Sequence, residues 1–153
     1  MDNLFGVLRA AASALGVQRL RLGVIANNIA NVNTTHSAEG GAYHRRQIVV
    51  QARERAFQPP LPGFIARQRG IMPESSLHGV QAKRIVTDER PGPRVYEPDH
   101  PDAGPDGYVE YPNVDVVTEM TDMLSATRSY RASVTVLNTI KQTVLKALEI
   151  GRG

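Results

Sequence analysis

All ten prolines of this 153-residue chain fall between Pro59 and Pro112. Residues 1–34 and 113–153 contain none. A proline in a helix interior removes a hydrogen bond and clashes with the preceding turn, at a cost of about 3 kcal/mol. The segregation therefore marks two helix-permissive ends around a middle built from strands and loops. The expected organisation is an N-terminal helix over 1–34, a β-rich and loop-rich region over 35–112, and a C-terminal helix over 113–153. A chain of this length has room for one domain with a real core and is short for two.

Both ends repeat their apolar residues at helical spacing. Leu4, Leu8, Ala11, Leu15, Gln18, Leu22, Ile25, Ile29 and Val32 step by alternating four and three. This is the 3.5-residue repeat of a coiled-coil seam, interrupted only at Gln18. Val116, Met120, Met123, Thr127, Tyr130, Val134, Leu137, Lys141, Val144 and Leu148 repeat the pattern at the other end, with polar breaks at Thr127 and Lys141. At 1.5 Å per residue each helix runs on the order of 50 Å. An insert that returns the chain near its point of departure makes the two helices antiparallel. The expected fold is mainly α with a small β-rich insert: an antiparallel coiled-coil stalk carrying a β/loop head.

Two helices bury one seam between them, yet both carry apolar residues off it. Val7, Val17, Leu20 and Val24 are the surplus at one end; Val117, Leu124, Ile140 and Leu145 at the other. Surplus apolar stripes on a two-helix stalk imply partners, either copies of the chain or related chains.

In the middle, "RRQIVVQA" (45–52) and "VQAKRIVTD" (80–88) are rich in β-branched residues and read as strands. "RPGPRVYEP" reads as a turn and a short strand, and "DAGPDG" as a second turn before "YVEY". Segment 57–78 has no periodicity and reads as a flexible loop.

Chemistry is hard to find. The chain has no cysteine, which excludes disulfides, thiolate catalysis and Cys-ligated zinc. His36, His44, His78 and His100 fall in separate loops without HxH or HxxxH spacing. "DHPDAGPDG" gathers Asp99, His100, Asp102 and Asp106 but lacks the spacing and closing Glu of a calcium loop, so it reads as a solvated turn. No phosphate loop, nucleophile elbow or catalytic triad context is present. The sequence thus predicts no enzyme, no cofactor and no metal. Eighteen Lys and Arg against fifteen Asp and Glu are spread along the chain, aromatics are scarce, and no nucleic-acid partner is expected. No stretch approaches the roughly 20 apolar residues of a membrane span. Asp2 and Arg9 interrupt the apolar N-terminal residues, so no cleaved signal peptide is expected. By these signals alone the chain reads as soluble and cytoplasmic.

Two stretches change that reading. "AASALGVQRLRLGVIANNIANVNTT" (11–35), followed by "GGAYHRRQIVV" (40–50), resembles the N-terminal signature of the bacterial flagellar rod, hook and hook-filament proteins. "VYEPDHPDAGPDGYVEYPNVDVVTEMTDMLSATRSYRASVTVLNTIKQTVLKALEIG" (95–151) is similar to the end of the flagellar basal-body proximal-rod family. The string from Tyr96 through Asn113 is the most specific part. The family commonly has Pro where Ala42 stands, Asn at Asp115 and Asn at Ser133. The resemblance implies a structural subunit of the axial rod, exported unprocessed through the flagellar type III apparatus and therefore resident in the periplasmic rod. Its implied partners are copies of itself, other rod subunits, the export apparatus, the MS-ring and the proteins of the hook–basal body complex. A soluble coiled-coil adaptor or chaperone of a secretion system is the alternative. It has no need of the extended "YEPDHP…YPNV" head.

The expected assembly interface comprises Leu8, Leu15, Leu22, Ile25, Asn27, Asn28, Ile29 and Asn31 on the first helix. Met120, Met123, Tyr130, Val134, Leu137, Val144 and Leu148 are its residues on the last. The asparagines in "VIANNIANVNTT" need their own reason, because Asn competes with helix hydrogen bonds. For Asn31 and Asn33, capping of the helix end and contact with a neighbour are both open. Asn27 and Asn28 read better as contacts with neighbouring helices, where a buried amide rewards one register of packing and penalises slips.

Overall fold

A computed structural model describes residues 2–38, 40–53 and 79–151. Helix α1 runs over Asp2–Ala30 and helix α2 over Val116–Ile150. Between them lie strands β1 (Arg46–Ala52), β2 (Val80–Thr87), β3 (Arg94–Tyr96) and β4 (Tyr108–Glu110). The fold is mainly helical with a small β insert. The proline-free ends are the helices, and the two long strands stand within one residue of the β-branched runs. The loop expected over 57–78 lies outside the described residues.

The strands form two separate antiparallel ribbons, β1 with β2 and β3 with β4. In the first, Arg46 faces Thr87 and Ala52 faces Val80, with a bulge that leaves Lys83 without an opposite number between Val49 and Val50. This ribbon packs along α1. Its far end is held at Ser13, whose hydroxyl accepts from Val80 N at 3.0 Å and donates to the Ala10 carbonyl at 2.7 Å. Its near end is held at Asn28, which bonds both the N–H and the carbonyl of Arg46.

Helix α1 therefore has two neighbours, the β1–β2 ribbon and α2. That arrangement accounts for part of the apolar surplus on α1. Val17 and Val24, read from sequence as stripes left over for partners, are buried within the chain. The seam positions Leu8, Leu15, Leu22 and Ile29 are half-buried and Ile25 is buried.

Helix α2 starts at a strong cap. Asp115 accepts from Val117 N at 3.0 Å and from the Thr118 hydroxyl at 2.6 Å. Asn and Asp are equally good at an N-cap, so the departure from the family pattern at Asp115 keeps the function of the position. The cap bonds hold the Asp115 carboxyl below its ordinary range, the Thr118 hydroxyl contributing most.

The inner face of α2 is rotated from the one the apolar pattern suggests. Glu119, Met123, Ala126, Tyr130, Ser133, Leu137, Ile140 and Val144, again spaced four and three, are the buried or half-buried positions. Met123, Tyr130, Leu137 and Val144 belong to both registers, and the expected seam residues Thr127 and Val134 are half-buried beside them. Met120 and Leu148, expected on the seam, are 56% and 61% exposed, and Lys141 is exposed as well. The physical reason is that Ala126 and Ser133 are small enough to bring the helices close, and Glu119 is buried by specific partners.

Candidate assembly interface

The end of α1 meets the start of α2 at a buried polar junction. Gly40 and Gly41, at φ of 90° and 70°, turn the chain after α1 where a side chain would be strained. The turn closes with Tyr43 N donating to the Thr34 carbonyl at 2.9 Å. It brings the Tyr43 hydroxyl to Asn28 Oδ1 at 2.9 Å, with the Arg46 guanidinium 5.7 Å from the Tyr43 ring centre. Asn28 Nδ2 donates to Glu119 Oε2 at 3.0 Å, and Arg45 Nε donates to Glu119 Oε1 at 2.5 Å. Asn113 ties the next layer. Its Oδ1 accepts from Arg45 N at 2.7 Å, while its Nδ2 donates to the carbonyls of Asp88 and Arg90 at 3.0 and 2.9 Å. Asp88 and Arg90 form an ion pair beside it, and the bonds from Arg90 hold the Asp88 carboxyl down at about 2.

The four asparagines of "VIANNIANVNTT" thus have different fates. Asn28 is 1% exposed and spends its whole amide inside its own chain. It does touch a neighbouring helix, but that helix is α2 of the same molecule. Asn31 turns back on the helix end, its Nδ2 donating to the Asn27 carbonyl at 2.8 Å. That is the capping arrangement. Asn27 and Asn33 are exposed. Glu119, Arg45, Tyr43 and Asn113 were absent from the sequence-derived site. A polar residue on a helix beside a seam looks like a solvated one until its partner, here 91 residues away, is located.

The outer face of α2 carries a series of exposed apolar residues. Val117, Met120 and Leu124 are exposed near its start and Leu145, Leu148 and Ile150 near its end, Ile150 by 83%. The exposed hydroxyls of Thr121, Thr135, Thr139 and Thr143 each donate to the carbonyl four residues back at 2.9–3.0 Å. Burial against another helix would strand none of these donors.

Two comparisons bear on what such a surface serves. Residues 8–35 match the family model described as flagella basal body rod protein. Residues 106–150 match the one described as flagellar basal body rod FlgEFG protein C-terminal. The flagellar basal-body rod protein FlgC of Bacillus subtilis is 38% identical over 97% of this chain and 98% of its own length. FlgC of Borreliella burgdorferi is 39% identical over 99% of each chain, and FlgC of Salmonella typhimurium 36% identical over 97% and 98%. The chain belongs to the FlgC family. The two segments that match rod family models hold part of the junction: Asn28 lies in the first and Asn113 and Glu119 in the second.

The "DHPDAGPDG" turn, which carries the most family-specific string, has an architectural role. The Thr35 hydroxyl donates to Asp102 Oδ2 at 2.7 Å, tying the loop after α1 to the head. His100 Nδ1 accepts from Asp102 N at 3.1 Å, and Asp106 pairs with Arg94. Among the described residues no group of three or more His, Cys, Asp or Glu converges on a point where a metal could sit. Replacing His100 and Asp102 together by alanine is expected to loosen this turn and leave assembly intact, within about 1 kcal/mol of parental stability. Loss of assembly that added divalent metal reverses in the parent protein alone would contradict this.

Proposed function

We propose that this chain is a structural subunit of the flagellar basal-body rod and has no catalytic role. With other axial proteins it builds the helical tube that crosses the periplasm and transmits torque. The observation that carries the reading is an exposed apolar face along α2 in a chain similar to FlgC proteins over nearly its whole length. Monomeric proteins rarely leave such a stripe uncovered.

In this reading α1 and α2 pair as an antiparallel coiled-coil stalk over 1–34 and 113–153, and 35–112 is the head. Neighbouring copies and related rod subunits cover Met120 and Leu148 outright. They complete the burial of Leu8, Leu15, Leu22, Ile29, Met123, Tyr130, Val134, Leu137 and Val144, with Asn27 as an exposed polar contact. Ile25, Asn28 and Asn31 support the interface from within. The contacts are heterologous, so they propagate along a helix instead of closing into a dimer. Delivery through the flagellar type III apparatus without a cleaved signal peptide fits a subunit of this kind, as do contacts with the MS-ring and the other hook–basal body proteins. Among the described residues no helix is long and apolar enough to cross a membrane. A secretion chaperone is disfavoured by the FlgC similarity, which runs through the head as well as the helices.

The test is composition. Intact hook–basal bodies purified from the source bacterium should contain this chain in stoichiometric amount by mass spectrometry. Its absence from bodies that retain the other rod subunits would reject the proposal.

A further inference from the structure

We infer that Asn28, Glu119 and Arg45 form a latch that sets the register of α1 against α2, with Glu119 as its positioning residue. The latch stands on the chain's own geometry; its consequence for assembly rests on the rod-subunit reading.

Asn28 and Glu119 are the buried polar side chains among the described residues, each 1% exposed. The amide of Asn28 has no spare valence, and each oxygen of Glu119 has a partner. Both Nδ2 hydrogens of Asn28 are donated, to the Arg46 carbonyl and to Glu119 Oε2, while Oδ1 accepts from the Tyr43 hydroxyl and Arg46 N. Both oxygens of Glu119 accept, one from Asn28 and one from Arg45. Every donor meets an acceptor in one alignment of α1, α2 and β1.

The rest of the helix pairing has no such preference. Its inner positions are apolar or aromatic apart from the half-buried Gln18 and Thr127 and, at Ser133, a hydroxyl already bonded to the Ser129 carbonyl. The buried Oε1 of Gln18 accepts no hydrogen bond among the described residues and so aligns nothing. A seam that repeats at heptad spacing presents nearly the same surface after a slide along the helix, so packing alone separates one register from another weakly. A slide of one turn, about 5.4 Å, would pull Asn28 off Glu119 and leave buried donors and a buried anion without partners. The latch therefore does what the apolar seam cannot. It sits at the head end of α2, so one fixed point places every exposed apolar residue out to Ile150. In a tube that repeats this subunit, an error of one turn would misplace the whole outer face.

The absence of native cysteine makes the register measurable. Single cysteines introduced between 18 and 25 of α1, each combined with one at 123, 126 or 130 of α2, report which residues face each other by disulfide yield in the purified full chain. In the parent, one register is expected to dominate. Asn28→Leu keeps the bulk and deletes the polarity, and should give in-register and one-turn-shifted disulfides in comparable yield. Asn28→Asp sets a carboxylate against Glu119 and the Arg46 carbonyl, and should cut the in-register yield at least tenfold. Adding Glu119→Gln to Asn28→Asp restores a donor facing an acceptor, and should recover the in-register yield severalfold over Asn28→Asp alone. A single dominant register in Asn28→Leu, or no recovery in the double variant, would overturn the latch. Basal-body incorporation of the same variants is read separately. A parent chain missing from basal bodies rejects the rod reading and leaves the disulfide result standing.

Discussion

Leu22→Asp and Leu137→Asp are each expected to abolish swimming while the subunit is still synthesised at parental level. Both side chains are half-buried, Leu22 on α1 and Leu137 on the inner strip of α2. In an assembled rod the proposed neighbours would close over what remains exposed. A carboxylate there would be surrounded by apolar groups with no cation or donor in reach, and an uncompensated buried charge costs several kcal/mol. That exceeds what one subunit contact can lose and still be incorporated. Lys141 is the control. The apolar repeat placed it on the seam, but the structure exposes it, so Lys141→Asp should change stability by no more than about 0.5 kcal/mol. Soft-agar motility with immunoblots of whole cells reads all three. Normal swimming from either leucine variant would contradict the coiled-coil assignment.

Gly92→Ala should be the most damaging single methyl group in the head. A Cβ at Gly92 would run into the Tyr111 carbonyl oxygen and stand 2.9 Å from its carbon. Both are backbone atoms, so no side-chain rotation relieves the clash. The chain cannot easily shift either. Gly92 lies between Pro91 and Pro93, Tyr111 N donates to the Pro93 carbonyl at 2.9 Å, and Pro112 beyond it is buried. The β3–β4 ribbon would have to open where it joins the lead-in to α2. Overpacking of this kind costs about 1–3 kcal/mol, and a backbone clash belongs at the upper end. Gly107→Ala is the milder comparison. Its Cβ would meet the Tyr96 ring at 2.7 Å, and the ring can swing, though φ of 75° adds some strain. Thermal unfolding followed by the tyrosine near-ultraviolet signal should fall further for Gly92→Ala than for Gly107→Ala. Equal melting of parent and Gly92→Ala would show that the close approach is absent.

The elements that sequence revealed are those set by local chemistry. Proline exclusion marked both helices, and β-branched runs placed β1 and β2 to within a residue. Turn chemistry located β3 and β4. What stayed hidden depends on distant contacts. Glu119 reads as an exposed helix residue because nothing nearby reveals that Asn28 and Arg45 will surround it. Val17 and Val24 read as surplus because the ribbon that lies along α1 is joined to it by loops of no fixed length. Met120 and Leu148 look like ideal seam residues and are exposed, whereas α2 turns Ala126 and Ser133 inward because small side chains permit the closest approach. In "VIANNIANVNTT", local rules explain Asn31, and the fold alone explains Asn28.

If neighbours complete this subunit, the two helices should differ along their length before assembly. No residue of α2 beyond Ala126 is buried in the single chain, and among the described side chains of α1, from Gly6 onward, the first buried one is Val17. Ordering a residue costs about 1–2 kcal/mol of backbone entropy, which half-buried contacts offset poorly. Amide hydrogen exchange, compared between the chain as a sedimentation-verified monomer and the same chain in purified basal bodies, reads this directly. The expected result is fast exchange over 127–150 in the monomer, slow exchange around Asn28 and Glu119 in both states, and strong protection of the whole of α2 in the basal body. Equal protection of residues 127–150 in both states would contradict a subunit whose helices are finished by its neighbours.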